Sequence, residues 1–345
     1  MQIELRPLRV PEDYEGLAEL LNQHGSEPIA AARLEEDDAK LYEKGETSLD
    51  AEGRLIGYDR TRYVAVGEEG RIVGYVWSWR APWTEPGYLN NTLIVSRDYR
   101  GQGIGARLFE HLLKWAEGLG AATLVTEIWD DSPESFRFAQ RRGFEIERHV
   151  FQSVLDLKSA NPEPAGADRL FEELEKEGIR FVTLAERPEE EEEAERRIHE
   201  VCRESMRDIP GFTGDVPDFE EWRKWYLKVE GYAPERVLLA MDGDRYVGVS
   251  NIVYNERTNG MYHEYTGISR AYRGRRIATA MKILAVKLAA AHGASYLKTD
   301  NDSLNEPILR INRSLGYAPQ RGMYRVMTSV REARRAAEEL RSLSE

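Results

Sequence analysis

The residues best suited to chemistry form a short run in which an arginine precedes glycines at alternate positions: Arg100, Gly101, Gln102, Gly103, Ile104 and Gly105. Glycine lets another molecule approach the backbone with no Cβ in the way, and arginine brings a permanent charge on a planar fork of donors. Beyond the run the apolar residues Leu108, Leu112, Trp115 and Leu119 recur at helical spacing, so it opens a helix. The first amides of a helix have no partner within it and lie at the positive end of its dipole. The combination predicts a cradle for an anion, above all a pyrophosphate.

The run occurs twice. Arg273, Gly274, Arg275, Arg276, Ile277 and Ala278 follow it at a step of 173 residues, and Val95, at the end of the strand leading in, recurs as Ile268. At the same step Thr126 returns as Thr299, and Gly143-Phe144 as Gly316-Tyr317. A constant step without insertions marks a duplicated unit. The loop is not a dinucleotide fingerprint, because an arginine precedes its first glycine and its strand continues an antiparallel run. No Gly-Lys-Ser/Thr follows, which excludes a P-loop.

Stepping outward, each copy needs a sheet to aim the loop. Strands are expected over residues 3–9, 62–67, 72–79, 88–95 and 123–129, with Glu68-Glu-Gly70 as a hairpin turn. Residues 144–157 supply one or two final strands. The second copy repeats the pattern over 179–184, 237–241, 246–254, 260–268 and 296–300. Helices are expected over 11–22, 31–44, the stretch after each loop, 168–177, 188–207, 219–229 and 330–343. The run Glu35-Glu-Asp-Asp38 reads as a solvated face. Ser132 reads as a helix cap, and Ser303 with Glu306 has the spacing of a capping box. The domains are then 1–158 and 178–329, joined by a Pro- and Gly-bearing linker with a short helix over 159–177 and followed by a C-terminal helix over 330–345.

Composition narrows the function. At 345 residues with 41% hydrophobic and 32% charged content, two ordinary globular domains are expected. The net charge of −13 argues against nucleic acid as a partner. No run approaches the roughly 20 apolar residues of a membrane span, and the first residues lack the pattern of a signal peptide, so a cytoplasmic protein is expected. The single Cys202 excludes an internal disulfide and reads as a small buried hydrophobe. The six histidines are scattered without metal-ligand spacing, and no metal is expected.

Arg100-x-x-Gly103-x-Gly105, followed about forty residues later by a helix ending in Gly143-Phe144, resembles the acetyl-CoA-binding motif of the GNAT (GCN5-related N-acetyltransferase) superfamily. The second copy resembles it with Arg273-x-x-Arg276-x-Ala278 and Asn305. The resemblance covers most of the chain. It implies an α/β (α+β) fold of two tandem GNAT-type domains, each a mixed, mostly antiparallel sheet flanked by helices. It also implies acetyl-CoA held by Val95, Arg100, Gly101, Gln102, Gly103, Ile104 and Gly105, and by Ile268, Arg273, Gly274, Arg275, Arg276, Ile277, Ala278 and Asn305. In such folds the strand before the loop splays from its neighbour, and backbone N–H groups near Val95 or Ile268 would polarise the thioester carbonyl. The loop over 209–217 would wall the acceptor pocket.

Departures from the family pattern fall differently in the two copies. The family often places an asparagine eleven residues before the final glycine, where the first copy has Ser132 and the second keeps Asn305. The middle glycine is Gly103 in one and Arg276 in the other. A tyrosine that many members use to protonate the departing thiolate is Ala139 in one and Asn312 in the other. Candidate bases are Glu264 and Glu127, on strands near the loops, with His263 beside the first. The function expected is acetyl transfer to the primary amine of a small molecule, with one of the two domains sufficient for catalysis. Peptide acetylation and a non-catalytic CoA- or effector-binding protein are the alternatives, and a monomer or homodimer is expected.

Overall fold

The computed structural model describes residues 3–187 and 191–343. The start of the helix expected from Pro188, and the chain's first two and last two residues, lie outside them. Two compact units form: residues up to His149 together with those from Met323 onward, and residues Val150 to Gly322.

In the first unit the strands β1 (Glu4–Pro7), β2 (Glu46–Leu49), β3 (Leu55–Val66), β4 (Ile72–Arg80), β5 (Tyr88–Val95) and β6 (Thr123–Trp129) form a sheet ordered β1-β3-β4-β5-β6, with β2 beside β3. Every pairing is antiparallel except β5 with β6. Pro7, which has no N–H to give, ends the edge strand. Helix α1 (Tyr14–Asn22) buries Tyr14, Leu17, Ala18 and Leu20 on one face of the sheet. Helix α2 (Ala31–Ala39) is tied down by Asp38, which accepts from the Tyr14 hydroxyl at 2.6 Å and pairs with Arg62 of β3 at 2.6 Å. One member of the acidic run is thus a structural anchor, because its helical position turns it towards β3.

The other face is covered by α3 (Ile104–Leu119) and α4 (Pro133–Gln140). Six apolar residues of α3 are buried, the five larger ones each contributing roughly 1.5–3 kcal/mol of transfer free energy. The core is completed from far along the chain. In the second half of β13 (Ala318–Ser329), Met323 to Ser329 pair antiparallel with β6, and Val326 joins the core with Val330 and Ala333 of α10 (Val330–Ser342). Arg334 holds α10 to α3 through Glu117 at 2.7 Å and Glu110 at 3.0 Å. Gly143 shows the same dependence: a Cβ there would stand 2.7 Å from Glu332 Cγ.

The second unit mirrors this plan. Its sheet is ordered β7-β12-β11-β10-β9-β8, where β7 spans Glu145–Asp156, β8 Ile179–Thr183, β9 Val237–Asp242, β10 Arg245–Asn255, β11 Gly260–Ile268 and β12 Tyr296–Asp302. Within this unit Val150 to Asp156 of β7 pair antiparallel with β12, and only β11 with β12 is parallel. Helices α5 (Ala167–Lys176), α8 (Ile277–His292) and α9 (Glu306–Ser314) lie on one face, and α6 (Glu191–Met206) with α7 (Phe219–Tyr226) on the other. Cys202 is buried among apolar residues, and burial pushes its thiol up. The spacing of Ser303 and Glu306 does not produce a capping box, since Asn305 is the residue flanking α9 and Asp302 Oδ1 takes the Leu304 amide at 2.8 Å. The boundaries 1–158 and 178–329 follow chain order, whereas the contacts give each unit a strand from beyond its neighbour's border.

Candidate active site

In the first unit the parallel ladder is short. Tyr88 to Asn91 pair with Thr123 to Thr126, and Thr92 to Val95 run on past the last pair, leaving their edge towards β6 open. Asn91 closes the crotch: its amide donates to the Leu89 and Val125 carbonyls at 2.9 and 3.0 Å and its oxygen accepts from Ser78 at 2.6 Å. The chain then turns through one 3-10 turn, Arg97–Tyr99, into the glycines.

Gly101 and Gly103 take φ values of 77° and 79°, and no atom lies within 4 Å of where a Cβ would stand on either. Both therefore need glycine for their backbone angle and both face open space, as a ligand-approach loop requires. Gly105 serves packing instead, because a Cβ there would meet Phe138 of α4 at 3.1 Å. Arg100 bends back over the strand end, with Nε donating to the Val95 carbonyl at 3.3 Å and one terminal nitrogen 3.1 Å from the exposed Glu134. Val95, Arg100, Gly101, Gln102, Gly103 and Ile104 thus converge at the open end of the split strands.

The second unit repeats this geometry with three changes. The ladder stops after Tyr262 and Lys298, so residues from His263 to Ile268 open away from β12. Between β10 and β11 the register shifts, Asn251 facing Tyr265 and Ile252 facing His263, which leaves Glu264 as the extra residue of a bulge. The pairing of β4 with β5 has no such shift. Finally, Arg276 occupies the left-handed position of Gly103, with φ 64°, a conformation that costs a side-chain-bearing residue about 1–2 kcal/mol.

The cations of the second cradle are engaged. Arg273 donates to the Ile268 carbonyl at 3.1 Å, as Arg100 does to Val95, and its guanidinium meets Asp208 at 2.7 Å. Asp208 also takes Arg270 at 2.7 Å, and the two guanidiniums hold its carboxyl down at about 2. Arg275 pairs with Glu177 at 2.7 Å and Arg276 with Glu173 at 3.5 Å. Asp208 ends the helical stretch of α6, and the glutamates belong to α5 and its end. None could be matched to the loop from sequence spacing.

The proposed bases differ in setting. Glu127 is exposed on β6, just past the ladder, and alternation puts it on the α1 face with Trp129, opposite the core residue Ile128. Burial raises the hydroxyls of Tyr226 and Tyr262, and the Glu264 carboxylate stands close enough to add to both. His263 points the other way, bonded to Ser250 and to Thr266 at 2.7 Å, with Lys282 Nζ 3.2 Å from its Nδ1. Burial drives this imidazole well below its usual range and brings Lys282 down to about 7. Ser132 Oγ bonds Ser135 at 2.8 Å, and Asn305 makes no side-chain cap. Of the positions where a thiolate acid was sought, Ala139 is buried, and Asn312 is buried with its amide donated to Asn301 at 2.8 Å. Asp300, 173 residues after Glu127, is a carboxylate that sequence reasoning passed over, although the repeat step points to it. Among the described residues no helix is long and apolar enough to cross a membrane, and no cluster of metal-binding side chains occurs.

The model of the acetyltransferase (GNAT) family matches residues 26–144 and again 197–317. The fold is similar to that of a GCN5-related N-acetyltransferase from Sphaerobacter thermophilus, with a TM-score of 0.68 at 21% identity over 95% of this chain and 96% of that one. A tandem GNAT protein from the clavulanic acid biosynthesis pathway gives 0.67 at 16% identity over 95% and 99%. A GCN5-related glucosamine N-acetyltransferase region of a fungal multi-domain β-N-acetylglucosaminidase gives 0.66 at 16%, covering 94% of this chain and 38% of that one. No curated protein sequence matches. Two family matches, each spanning one split-strand cradle, place the chain in the GNAT acetyltransferase family as a tandem of two such domains.

Proposed function

We propose that the protein transfers an acetyl group from acetyl-CoA to the primary amine of a small molecule, and that the second unit carries the chemistry. The observation behind the reading is the open strand pair that ends on an arginine-bearing loop at a helix N-terminus, present in both units. Acetyl-CoA is a substrate here. The residues fit it: in the first unit Arg100 and the amides around Gly101 and Gly103 would hold the pyrophosphate, and in the second Arg273 and the amides around Gly274 and Arg276. The free strand edge, ending at Val95 or Ile268, offers N–H groups to the pantetheine arm and to the thioester oxygen. Holding the two reactants together removes about 7–11 kcal/mol of barrier when the alignment is good.

The second unit is favoured for catalysis because its bulge brings Glu264 to the split beside two half-buried tyrosines, while Glu127 of the first stands exposed. The first unit has the freer cradle for CoA. Release of CoA from acetyl-CoA is the test, against a diamine, an amino sugar, an aminoglycoside and a peptide N-terminus. Turnover with one of the small amines supports the reading. Turnover with the peptide alone assigns a protein acceptor, and no turnover with any acceptor rejects acetyl transfer.

A further inference from the structure

Asp300 has no part in the account so far, yet its surroundings are those of a working carboxylate. It lies on β12 two residues past Lys298, where the parallel ladder stops. Strand alternation sets it on the side opposite Leu297, which belongs to the core beneath α8, and therefore on the α6 and α7 side. Its Oδ2 accepts from the Tyr262 hydroxyl at 3.0 Å. Its Oδ1 is closed off from solvent and has no hydrogen-bond partner among the described residues.

A buried acceptor without a donor is costly, and more so when charged. Such an atom just past the point where the β11–β12 ladder opens implies a donor that arrives with the substrate. An ammonium group is that donor, since it brings three N–H bonds and the opposite charge. Tyr262 cannot compete for the proton. Its hydroxyl is held neutral by burial and by the nearby Asp300 and Glu264 carboxylates, so it serves Asp300 as a fixed donor. The first unit has a carboxylate at the matching step, Glu127, but that one is exposed, whereas Asp300 is half-buried.

We propose that Asp300 is the catalytic base of the second unit and that Tyr262 is its positioning residue. The inference rests on the acetyl-transfer reading given above. The acceptor enters as R–NH3+ against Oδ1 and gives one proton to Asp300. The freed nitrogen lone pair forms the C–N bond at the thioester carbonyl carbon. As the C–S bond breaks, the sulfur keeps the bonding pair and takes a second proton from the nitrogen, leaving the amide and CoA thiol. Asp300 then passes its proton to solvent. No group at position 139 or 312 is needed as an acid in this sequence, which agrees with the residues found there.

The test uses the full chain with acetyl-CoA and whichever small amine in the panel is turned over. Asp300→Asn is expected to lower kcat by about 10²- to 10⁴-fold with KM for acetyl-CoA within about threefold, and to abolish the acid limb of the rate profile. Glu127→Gln, in the other unit, is expected to keep that limb. Tyr262→Phe removes the donor that fixes the carboxylate, so kcat should fall by about tenfold with KM for acetyl-CoA unchanged. If Asp300→Asn keeps the limb and more than about a third of kcat, the assignment is wrong while acetyl transfer stands. If the wild type turns over no amine, both fail. Should Asp300→Asn lose its fold by circular dichroism, Tyr262→Phe decides: a lowered kcat at unchanged KM supports the base, and an unchanged kcat overturns it.

Discussion

The two cradles share a backbone and differ in how their charge is used. Arg100 and Arg273 make the same bond to the end of the preceding strand, yet Arg100 has one exposed carboxylate beside it, while the second loop has four arginines paired with three. The strands differ in the opposite sense. The bulge at Glu264 and the Tyr262–Asp300 bond belong to the second unit, and the first has a regular ladder with an exposed Glu127. Duplication of a fold therefore leaves anion binding and acid–base chemistry free to diverge between copies, since they depend on different side chains around one backbone.

The largest effect expected concerns where each unit's core ends. A chain stopped after residue 158 loses Val326, Val330 and Ala333 from the first unit and should show no cooperative thermal transition, whereas the full chain should. A cooperative melt of the short chain would mean that this unit closes without β13 and α10.

Next in size is the buried Lys282, at the position occupied in the first unit by Phe109. Its folded pKa of about 7 lies below the ordinary 10.5, so between these values the unfolded chain binds the extra proton and stability rises with pH. Lys282→Met should stabilise the protein at pH 7 by a few kcal/mol, on the order expected for such a shift, and the gain should shrink as pH approaches 10.5. Denaturant melts at both pH values measure this. A gain independent of pH would mean the lysine's charge is not the cause.

A smaller effect separates the loops by affinity. Calorimetry with CoA should show a tighter site lost in Arg100→Glu, and Asp208→Asn should tighten the weaker one by no more than about fivefold, because exposed ion pairs are weak. Two equal sites in the wild type would remove the contrast. Smallest is Arg276→Gly, which should raise stability by up to about 1 kcal/mol by releasing the left-handed strain. A loss of stability there would show that the pairing with Glu173 outweighs the strain.

The fold was legible in the sequence to the extent that it is local. Alternation and helical spacing gave the strands around residues 72–95 and 246–268 and the helices after each loop, because those signals are written in adjacent residues. Strand partners are not written there: residues 144–157 read as one or two final strands of the first copy, and nothing in them or in 318–329 says that β6 pairs with Met323 to Ser329 or β12 with Val150 to Asp156. The loops stand out in the sequence as strand-to-helix turns bearing arginine and glycine, and the repeat step exposes the exchange of Gly103 for Arg276. The step also marks Asp300 through Glu127. The bulge at Glu264 is a matter of register between two consecutive strands, and the hold of Asp208 on Arg270 and Arg273 joins segments far apart in the chain, so residue spacing carries no trace of either.

The central claim is that the second unit performs the chemistry while the first holds CoA without turnover, and the rate of CoA release in two charge-reversed variants tests it most directly. Arg273→Glu should lower kcat/KM by more than about tenfold, and Arg100→Glu should leave it within about threefold of wild type. Loss of turnover in Arg100→Glu with normal turnover in Arg273→Glu would contradict the account.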